Sequence, residues 1–362
     1  MADDFGYHID HHGSLVRPPE LLAARAGGDP VRLAAAEEEA AVALAHALRR
    51  LTLSACCDGQ FRRTHFESVI YDHVAGFGPA EGPAPLADLA GIPVARRRTI
   101  SASPGARGRL AQAEAAPVLA TVDRPVFVTL PSPGYLAAVG SALADPAALD
   151  AVRSSGAALA AILRAEICAL GADGVAYVAL GNPLYPPLLT VAGRAALAAA
   201  GVNVSAALGA LIEADRAAVA GLEVPAEFRV GLDLTDAGPL PTTSAGYDAA
   251  AVETLLDETP FQRVCLDFPA SPQARLPLEL VKPGLVVSLG VIDVSTAALE
   301  TVDELLERLD PVLEQRGESD IAVATNGGFA QSADAALMSE EEQRAKLRLV
   351  ETVARYYWGN EI

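Results

Sequence analysis

Apolar residues follow two different spacings, which alternate along the chain. Short runs rich in Val, Ile and Leu, continuous in the case of Leu285–Val291, alternate with longer Ala- and Leu-rich stretches in which apolar positions recur every three or four residues. The short runs are typical of strands covered on both faces, and the longer stretches of amphipathic helices. The pattern predicts eight strands, at Tyr7–Ser14, Leu51–Asp58, Val126–Pro131, Gly174–Gly181, Phe228–Leu234, Arg263–Phe268, Leu285–Val291 and Ile321–Asn326. It predicts five longer helices between them, at Pro30–Arg50, Ala147–Leu170, Ala192–Ala220, Ala249–Glu258 and Thr296–Gln315.

Eight strands that alternate with helices predict an α/β fold, a (β/α)₈ TIM-type barrel, whose typical size is about 250 residues before insertions. The chain has 362 residues, and its extra length falls between the second and third strands. Residues 77–125 carry clusters of Pro and Gly and the arginine run Arg96–Arg98, which predicts an inserted segment that forms a lid over the barrel mouth. We therefore expect one barrel domain over residues 1–362. A doubly wound open sheet is the main alternative, and the lack of Gly-x-Gly-x-x-Gly after the first strand disfavours it.

Composition narrows the classes of partner. The formal net charge is −19 and the isoelectric point is near 4.7, which argues against nucleic acid and against an anionic membrane surface. The start of the sequence has no basic segment followed by an apolar one, and no uncharged apolar run approaches the ~20 residues of a membrane span. We expect a cytoplasmic protein that binds a small molecule. The C-terminal segment around Trp358 is expected to pack on the barrel or on a second subunit, so a homodimer is one alternative.

Candidate chemistry is concentrated at the predicted strand ends, where the active site of such a barrel forms. All six histidines precede position 74, so any function that needs a histidine from the rest of the chain is excluded. Four residues are predicted to be catalytic: His11, His12, Asp58 and Asp267. Eight are predicted to bind substrate: Ser14, Arg17, Gln60, Arg62, Ser132, Asn182, Asp233 and Asn326.

The predicted roles follow from side-chain chemistry. Arg17 and Arg62 would hold an anion through paired hydrogen bonds. His11 or His12 would act as the general acid or base, oriented by a neighbouring aspartate such as Asp58. Each residue also has a structural alternative, because histidines can be satisfied core groups, Asp-Gly pairs form turns, arginines face solvent and aspartates cap helices. Their concentration on one predicted face favours a site.

Three motifs in order carry a family resemblance. His12-Gly13-Ser14-Leu15-Val16-Arg17-Pro18, Asp58-Gly59-Gln60-Phe61-Arg62-Arg63 and Leu130-Pro131-Ser132-Pro133 resemble the catalytic half of cobalamin-independent methionine synthases, and more closely their short single-barrel relatives. The resemblance extends in order and spacing over nearly the whole chain. It implies a (β/α)₈ barrel whose members transfer a methyl or alkyl group to a thiol that a zinc ion binds and activates.

The zinc ligands that the resemblance implies are mostly replaced. The family's His-x-Cys pair at the fifth strand corresponds to Gly231 and Asp233, its acidic residue at the sixth strand is kept as Asp267, and glycine replaces the cysteine at the eighth, in Asn326-Gly327-Gly328. A zinc site needs thiolate and imidazole donors, which these positions lack. We therefore expect no zinc and no other cofactor. A magnesium site of Asp233, Asp267 and Asp293 is the one alternative, since oxygen ligands suit that ion.

The predicted function is a metal-independent enzyme of specialised metabolism on a methionine-synthase-like barrel. It would transfer a methyl or alkyl group, or carry out related chemistry, on a small carboxylate-bearing substrate, with an acceptor such as an amine that needs no zinc to become nucleophilic. One alternative is a lyase or decarboxylase that uses His, Asp and Arg without a metal. The other is a barrel without catalytic activity that binds a ligand or a partner protein.

Overall fold

The structure is a computed structural model, and it describes residues 8–51, 53–143, 145–235, 246–270 and 278–359. The strands are β1 Val74–Pro79, β2 Arg98–Ala106, β3 Phe127–Pro131, β4 Tyr177–Gly181, β5 Arg229–Asp233, β6 Arg263–Asp267, β7 Val286–Ile292, β8 Ile321–Thr325, β9 Ala330–Ser332 and β10 Ala335–Ala336. The helices are α1 Pro19–Gly27, α2 Pro30–Arg50, α3 Ser68–Tyr71, α4 Pro85–Leu89, α5 Gln112–Leu119, α6 Pro133–Ala138, α7 Pro146–Asp173, α8 Tyr185–Leu189, α9 Val191–Ala199, α10 Val204–Val219, α11 Ala249–Leu256, α12 Val302–Arg316 and α13 Glu340–Trp358.

A parallel sheet forms the centre of the molecule and closes on itself. Strands β3 to β8 pair in chain order, each parallel to the next. At the β8 edge Ile9 bridges Val323, and at the β3 edge Cys56 bridges Val126, both in parallel. The backbone N–H of Ser54 donates to the carbonyl of Ile9 at 3.4 Å, which joins these two edge segments. Eight chain segments therefore surround one interior, as in an α/β barrel.

The first two predicted strands are shorter than expected. Each of them contributes a single bridge within the described residues, and Tyr7 and Thr52, which belong to the predicted strands, lie outside those residues. Soon after its bridge each segment turns at a glycine with left-handed φ, Gly13 at 70° and Gly59 at 70°. Such a residue ends the extended conformation that a ladder requires. The other six strands lie within three residues of their predicted ends.

The helix ends are predicted most accurately where a capping residue stands next to the predicted end. Helix α2 has the predicted ends, since Asp29 accepts from the first free N–H groups. The predicted helix 192–220 is two helices, because Gly201 adopts a φ of 82° and Asn203 caps α10. Helix α12 begins at Val302 rather than Thr296, since Thr301 and Glu304 form a capping box. Helix α13, which the pattern did not predict, follows β10.

The barrel interior is polar at one level. Asp10 is fully buried and accepts a hydrogen bond from the Arg263 guanidinium, and the Tyr177 hydroxyl donates to it at 2.8 Å. The Phe127 ring stacks on Tyr177 with centroids 5.1 Å apart. Gly231 of β5 faces Arg263, since a Cβ added there would lie 3.6 Å from the Arg263 Cβ. The Asp10 carboxylate therefore neutralises the buried charge of Arg263 inside the barrel.

Helix α7 is long and apolar enough to cross a membrane by length and composition, and the bent pair α9 and α10 passes the same test if joined. In the structure α7 packs against α6 and α10. Its buried Glu166 accepts from Arg109 at 2.8 Å and from the Ala111 N–H at 3.0 Å. Through these contacts α7 is part of the helical layer that surrounds the barrel.

Strands β1 and β2 form an antiparallel hairpin with α4 between them. The hairpin lies between the second edge segment and β3, so it overlaps the predicted lid of residues 77–125. Residues 89–93, at the end of α4 and directly after it, line the mouth cavity described below. That the segment is an insertion relative to similar barrels, and that residues 1–362 form one domain, stay predictions.

Candidate functional site

A cavity of about 410 Å³ opens at the carboxyl ends of the barrel strands. Of the residues predicted to bind substrate, four line it: Ser14, Arg17, Gln60 and Asp233. Other polar side chains at its wall are His65, Arg96, Thr129, Thr235, Gln331 and Ser332. The lining therefore combines the first two motifs, the end of β5, the segment after α4 and the β9 region.

Two glycine-containing loops meet backbone to backbone at the cavity. A Cβ on Gly13, whose φ is 70°, would lie 2.6 Å from the Gly328 nitrogen, and a Cβ on Gly328 would lie 2.4 Å from the Ser14 nitrogen. The Phe329 N–H donates to the Ser14 carbonyl at 2.7 Å, and the Ser14 hydroxyl donates to the Ala330 carbonyl. Neither glycine can carry a side chain here, so these motifs are coupled by packing.

The second motif forms a tight turn that holds Arg17. Gly59 and Gln60 both have left-handed φ, 70° and 59°, and the Asp58 carboxylate accepts from the Gln60 N–H at 2.9 Å. The Arg17 guanidinium donates to the backbone carbonyls of Gln60 at 2.8 Å and Arg63 at 3.1 Å. A non-glycine residue with left-handed φ costs of order 1 kcal/mol, and this turn uses it to direct the Gln60 carbonyl at the arginine.

Arg17 is a buried cation without an ion pair to any residue that the structure describes. It is 4% exposed, none of the ion pairs among the described residues includes it, and its Nε has no hydrogen-bond partner there. Burial lowers the pKa of Arg17 to about 10, against the charge of Asp58, which raises it. The guanidinium therefore remains protonated at neutral pH.

Asp58 is a carboxyl group that burial keeps partly neutral. It is 7% exposed, and one of its oxygens has no partner among the described residues. Burial and the charge of Glu114 raise the pKa of Asp58 to about 7, while Arg63 and Arg17 act in the opposite direction. Asp58 does not line the cavity, so its effect there passes through the turn and through Arg17.

His65 and Glu67 form a dyad at the cavity wall. The His65 Nδ1 lies 2.9 Å from a Glu67 carboxylate oxygen, and Arg96 donates to the same carboxylate at 2.7 and 3.1 Å. The buried Tyr135 hydroxyl also donates to it. Burial raises the pKa of Glu67, but the hydrogen bond from His65 and the charge of Arg96 outweigh it and lower the pKa to about 2.

The hydrogen bond to Glu67 determines which His65 nitrogen carries the ring proton. Because Glu67 stays ionised, it accepts from a protonated Nδ1 and leaves Nε2 as the exchangeable position. His65 and Arg96 both line the cavity, whereas Glu67 lies behind them with no exposure. This is the arrangement of a histidine general acid or base oriented by a carboxylate.

Three metal-binding side chains meet beside the cavity. One donor atom each of His12, Asp233 and Cys265 lies within 4.8 Å of the other two, and all three residues are buried. Asp233 and Cys265 are register partners on β5 and β6. Among the described residues no other group of three His, Cys, Asp or Glu side chains is arranged in this way. The sequence predicted His12 and Asp233 as site residues but did not predict that they meet Cys265.

The ligand positions implied by the resemblance do not fit zinc. Gly231 and Gly327 offer no side-chain donor, and the space beside Gly231 is taken by the Arg263 side chain. The alternative magnesium site is also not formed within the described residues. Asp233 accepts from Thr235 at 2.9 and 2.7 Å, and Asp293 accepts from the Ser295 N–H at 2.8 Å. Neither joins Asp267 in a cluster there.

Several predicted site residues lie elsewhere. Ser132 and Asn182 directly follow β3 and β4 and are tied to the buried Asp215 of α10. The Asp215 carboxylate accepts from Asn182 at 3.0 Å. Burial raises the pKa of Asp215, and a hydrogen bond from Ser132 partly offsets that rise. Asn326 accepts from the Val294 N–H at 2.8 Å, which holds β8 to the turn after β7. Their polar groups position the strand ends and do not line the cavity.

Arg62, His11 and Asp267 also lie outside the cavity lining. Arg62 donates to Glu37 of α2 at 3.0 Å and to the Ala113 carbonyl, so it faces the helical layer. His11 contacts the Cys57 sulfur at 3.1 Å, and burial lowers the pKa of His11 to about 4, which keeps it neutral at pH 7. Asp267 ends β6 near Tyr247, whose pKa burial and the Asp267 charge raise to about 12.

Sequence reasoning missed the dyad and Arg96. His65 and Glu67 stand two residues apart just after the second motif, a spacing without helical or strand meaning there. Arg96 belongs to the run Arg96–Arg98, which was taken as part of the lid. The available signal was the lid itself, since a segment predicted to cover the barrel mouth can supply side chains to the site beneath it.

Comparison with known proteins identifies two curated relatives of this chain. No model of a protein family matches the chain. The uncharacterized protein YxjH of Bacillus subtilis (strain 168) is 24% identical over 369 residues, which covers 97% of this chain and 95% of that protein. The uncharacterized protein YxjG of the same organism is 30% identical over 119 residues, 32% of this chain and 31% of its own length.

Solved structures match over nearly the whole chain. A B12-independent methionine synthase from Shewanella sp. W3-18-1, in complex with selenomethionine, matches with a TM-score of 0.70 at 16% identity, over 97% of each chain. A candidate vitamin-B12-independent methionine synthase from Listeria monocytogenes matches with a TM-score of 0.66 at 19% identity, over 98% of each chain. The predicted resemblance is confirmed as a match of fold: this chain has the α/β barrel of the B12-independent methionine synthases.

Proposed function

We propose that this protein is an enzyme that acts on a small carboxylate-bearing substrate in the mouth cavity. The observation that carries the proposal is Arg17, a buried guanidinium at the cavity wall that is bound by backbone carbonyls and has no ion pair among the described residues. A buried charge is costly unless it is paired, and guanidinium binds carboxylate through two parallel hydrogen bonds. A substrate carboxylate supplies the missing partner.

The second element of the proposal is proton transfer by His65. Glu67, which Arg96 holds in place, orients the ring from behind, so that its second nitrogen acts as a general acid or base toward a ligand in the cavity. This role replaces the one predicted for His11, which is neutral and bonded to Cys57 in the interior. Asp58 contributes indirectly, because it shares the turn that holds Arg17.

The proposed reaction is transfer of a methyl or alkyl group. Its support is the fold shared with B12-independent methionine synthases, one of them in complex with selenomethionine. An amino acid of that kind carries the carboxylate that Arg17 would bind. The metal independence predicted from the sequence is not part of the proposal, because donors of the zinc type lie beside the cavity.

Carboxylate binding is tested first, by calorimetric titration of the full chain with L-methionine, L-glutamate and succinate. We expect at least one probe to bind, and Arg17→Met to weaken it about 10- to 150-fold, the loss of a charged hydrogen bond worth about 1.5–3 kcal/mol. Arg62→Met is the matched control and should bind as wild type does. Circular dichroism confirms folding, and Arg17→Lys should recover part of the affinity. Absence of binding at millimolar probe, or equal affinity in Arg17→Met, contradicts the proposal.

Catalysis is tested with the probe that binds, by mass spectrometry of the products formed with candidate methyl donors and acceptors. A methylated or alkylated product supports group transfer, and loss of carbon dioxide supports the lyase alternative instead. His65→Gln should lower kcat about 10²- to 10⁴-fold and change KM little, since it removes proton transfer but leaves Arg17. An unchanged kcat in that variant refutes the role of His65.

A further inference from the structure

The structure places three zinc-type donors where the family resemblance predicts none. His12 comes from the N-terminal edge segment, Asp233 from the end of β5 and Cys265 from β6. Only Asp233 stands at a position that the resemblance implies as a ligand. We propose that these three side chains bind one divalent transition-metal ion of the zinc class, with a fourth position open to the cavity.

The donor set suits such an ion in kind and in spacing. Imidazole, carboxylate and thiolate are the three side-chain types that bind zinc, at about 2.0–2.3 Å. Four ligands at those distances stand roughly 3.3–3.8 Å apart, and the donor atoms here lie within 4.8 Å of one another. A closure of about 1 Å completes the arrangement, and three residues on two adjacent strands and a neighbouring segment can close that far by side-chain rotation.

Hydrogen bonds already orient the three metal-donor side chains and leave one imidazole nitrogen without a partner among the described residues. The Asp233 carboxylate accepts from the Thr235 N–H and hydroxyl through one oxygen. Ser288 of β7 lies 3.4 Å from the His12 Nε2 and also hydrogen-bonds Cys265. The His12 Nδ1 is buried without a partner among the described residues. Outer partners of this kind fix metal ligands, and an unmet buried nitrogen is the group that a metal would satisfy.

The charge of the three donors and the access from the cavity both favour binding of a divalent ion. Binding of a divalent ion displaces the thiol proton of Cys265 to solvent, so that one carboxylate and one thiolate balance the two positive charges. The neighbouring Arg263 does not compete, because Asp10 already holds it in a buried pair. Asp233 also lines the cavity, which gives the ion an entry path and a position for water or a ligand. Three protein donors and one open position are the pattern of catalytic rather than structural zinc sites.

The test is metal binding by the full chain, read without any activity assay. Protein stripped with a chelator is titrated with Co²⁺ alone, followed by absorbance, and then with Zn²⁺ in competition. We expect one equivalent of Co²⁺ to bind with a thiolate-to-cobalt charge-transfer band and the strong visible bands of tetrahedral coordination, and one equivalent of Zn²⁺ to displace it. Absence of the charge-transfer band in wild type overturns the proposal.

Variants assign the ligands. Cys265→Ser should abolish the charge-transfer band, and Asp233→Asn and His12→Gln should each weaken binding by more than the about 10- to 100-fold that loss of an outer partner costs. Cys57→Ser is the matched control, because Cys57 is also buried and also contacts a histidine, His11; its spectrum should equal that of wild type. Circular dichroism checks each fold, and Cys265→Ala repeats the test if the serine variant is unfolded. A band that survives in both Cys265 variants, or that disappears in Cys57→Ser, refutes the assignment.

Discussion

Replacing Asp58 with asparagine tests the electrostatics of the turn beneath Arg17. Burial and the Glu114 charge raise the pKa of Asp58 from its ordinary 3.8 to about 7. The folded protein therefore holds a proton that the unfolded chain releases between these two pH values. Stability from this group is full below about pH 4 and is lost as the pH rises through about 7, the reverse of an ion-paired aspartate.

The magnitude follows from the two pKa values. At 1.36 kcal/mol per unit, ionisation of Asp58 removes about 2–3 kcal/mol of unfolding free energy between about pH 5 and pH 8.5. Asp58→Asn keeps the oxygen that accepts from Gln60 but cannot ionise, so it lacks this loss. It also places an amide donor where Asp58 has a buried oxygen without a partner, which costs about 1–3 kcal/mol at every pH. The diagnostic quantity is therefore how the difference in unfolding free energy between Asp58→Asn and wild type changes with pH, not the size of that difference at one pH.

Urea denaturation of both proteins across that pH range measures the difference. The stability of Asp58→Asn relative to wild type should rise by about 2–3 kcal/mol from the acid to the alkaline end. Asp123→Asn, at an exposed aspartate, is the control and should run parallel to wild type. His11 also titrates in this range, but it is present in all three proteins and cancels. A flat difference between Asp58→Asn and wild type would refute a neutral buried Asp58.

Three further predictions concern stability and are measured by urea denaturation. Gly13→Ala should cost more than 2 kcal/mol, because its Cβ would lie 2.6 Å from the backbone of Gly328. Gly82→Ala is the control: Gly82 has a φ of 73° and open space around it, so its loss should be only about 1 kcal/mol of backbone strain. Equal losses in the two variants would contradict the contact at Gly13. Asp215→Ala should cost about 3–5 kcal/mol, since Gly134, Asn182 and Tyr185 all donate to it, and a loss below about 1 kcal/mol would contradict that role. Thr301→Ala should cost about 1 kcal/mol by removing the cap of α12, with no effect on carboxylate binding.

Local chemistry explains what the sequence predicted well. The Asp58-Gly59 turn and the ends of α2 depend on neighbours in the chain, so their residue types indicate their conformations directly. The alternation of strands and helices predicted the barrel for the same reason, because periodicity is set by the layer each element faces. The first two strands were the weakest part, since turn residues follow their single bridges.

The site was harder to predict because its members are distant in sequence. Nothing local distinguishes Arg62, which pairs with Glu37 in the helical layer, from Arg96, which reaches the cavity from the segment between α4 and β2. Ser132 and Asn182 stand at strand ends, as predicted, but Asp215 on a later helix takes up the Asn182 side chain and also bonds Ser132. Strand-end position identifies the correct edge of the barrel; the partners on other elements decide which side chains remain available.

The interior ion pair bears on why the proposed donor set differs from the one that the family resemblance implies. Gly231 leaves room beside Arg263, and Arg263 needs Asp10 as its counter-ion at that level. A histidine at position 231 would need the space that the Arg263 side chain occupies, since a Cβ there already lies 3.6 Å from the Arg263 Cβ. The proposed donors avoid that space, since Asp233 and Cys265 pair two residues further along β5 and β6 than Gly231 and Arg263. Ser288 links the two groups, donating to Asp10 at 3.3 Å and lying 3.4 Å from the His12 Nε2. The same substitutions that remove the familiar ligand positions therefore favour a site one level nearer the cavity.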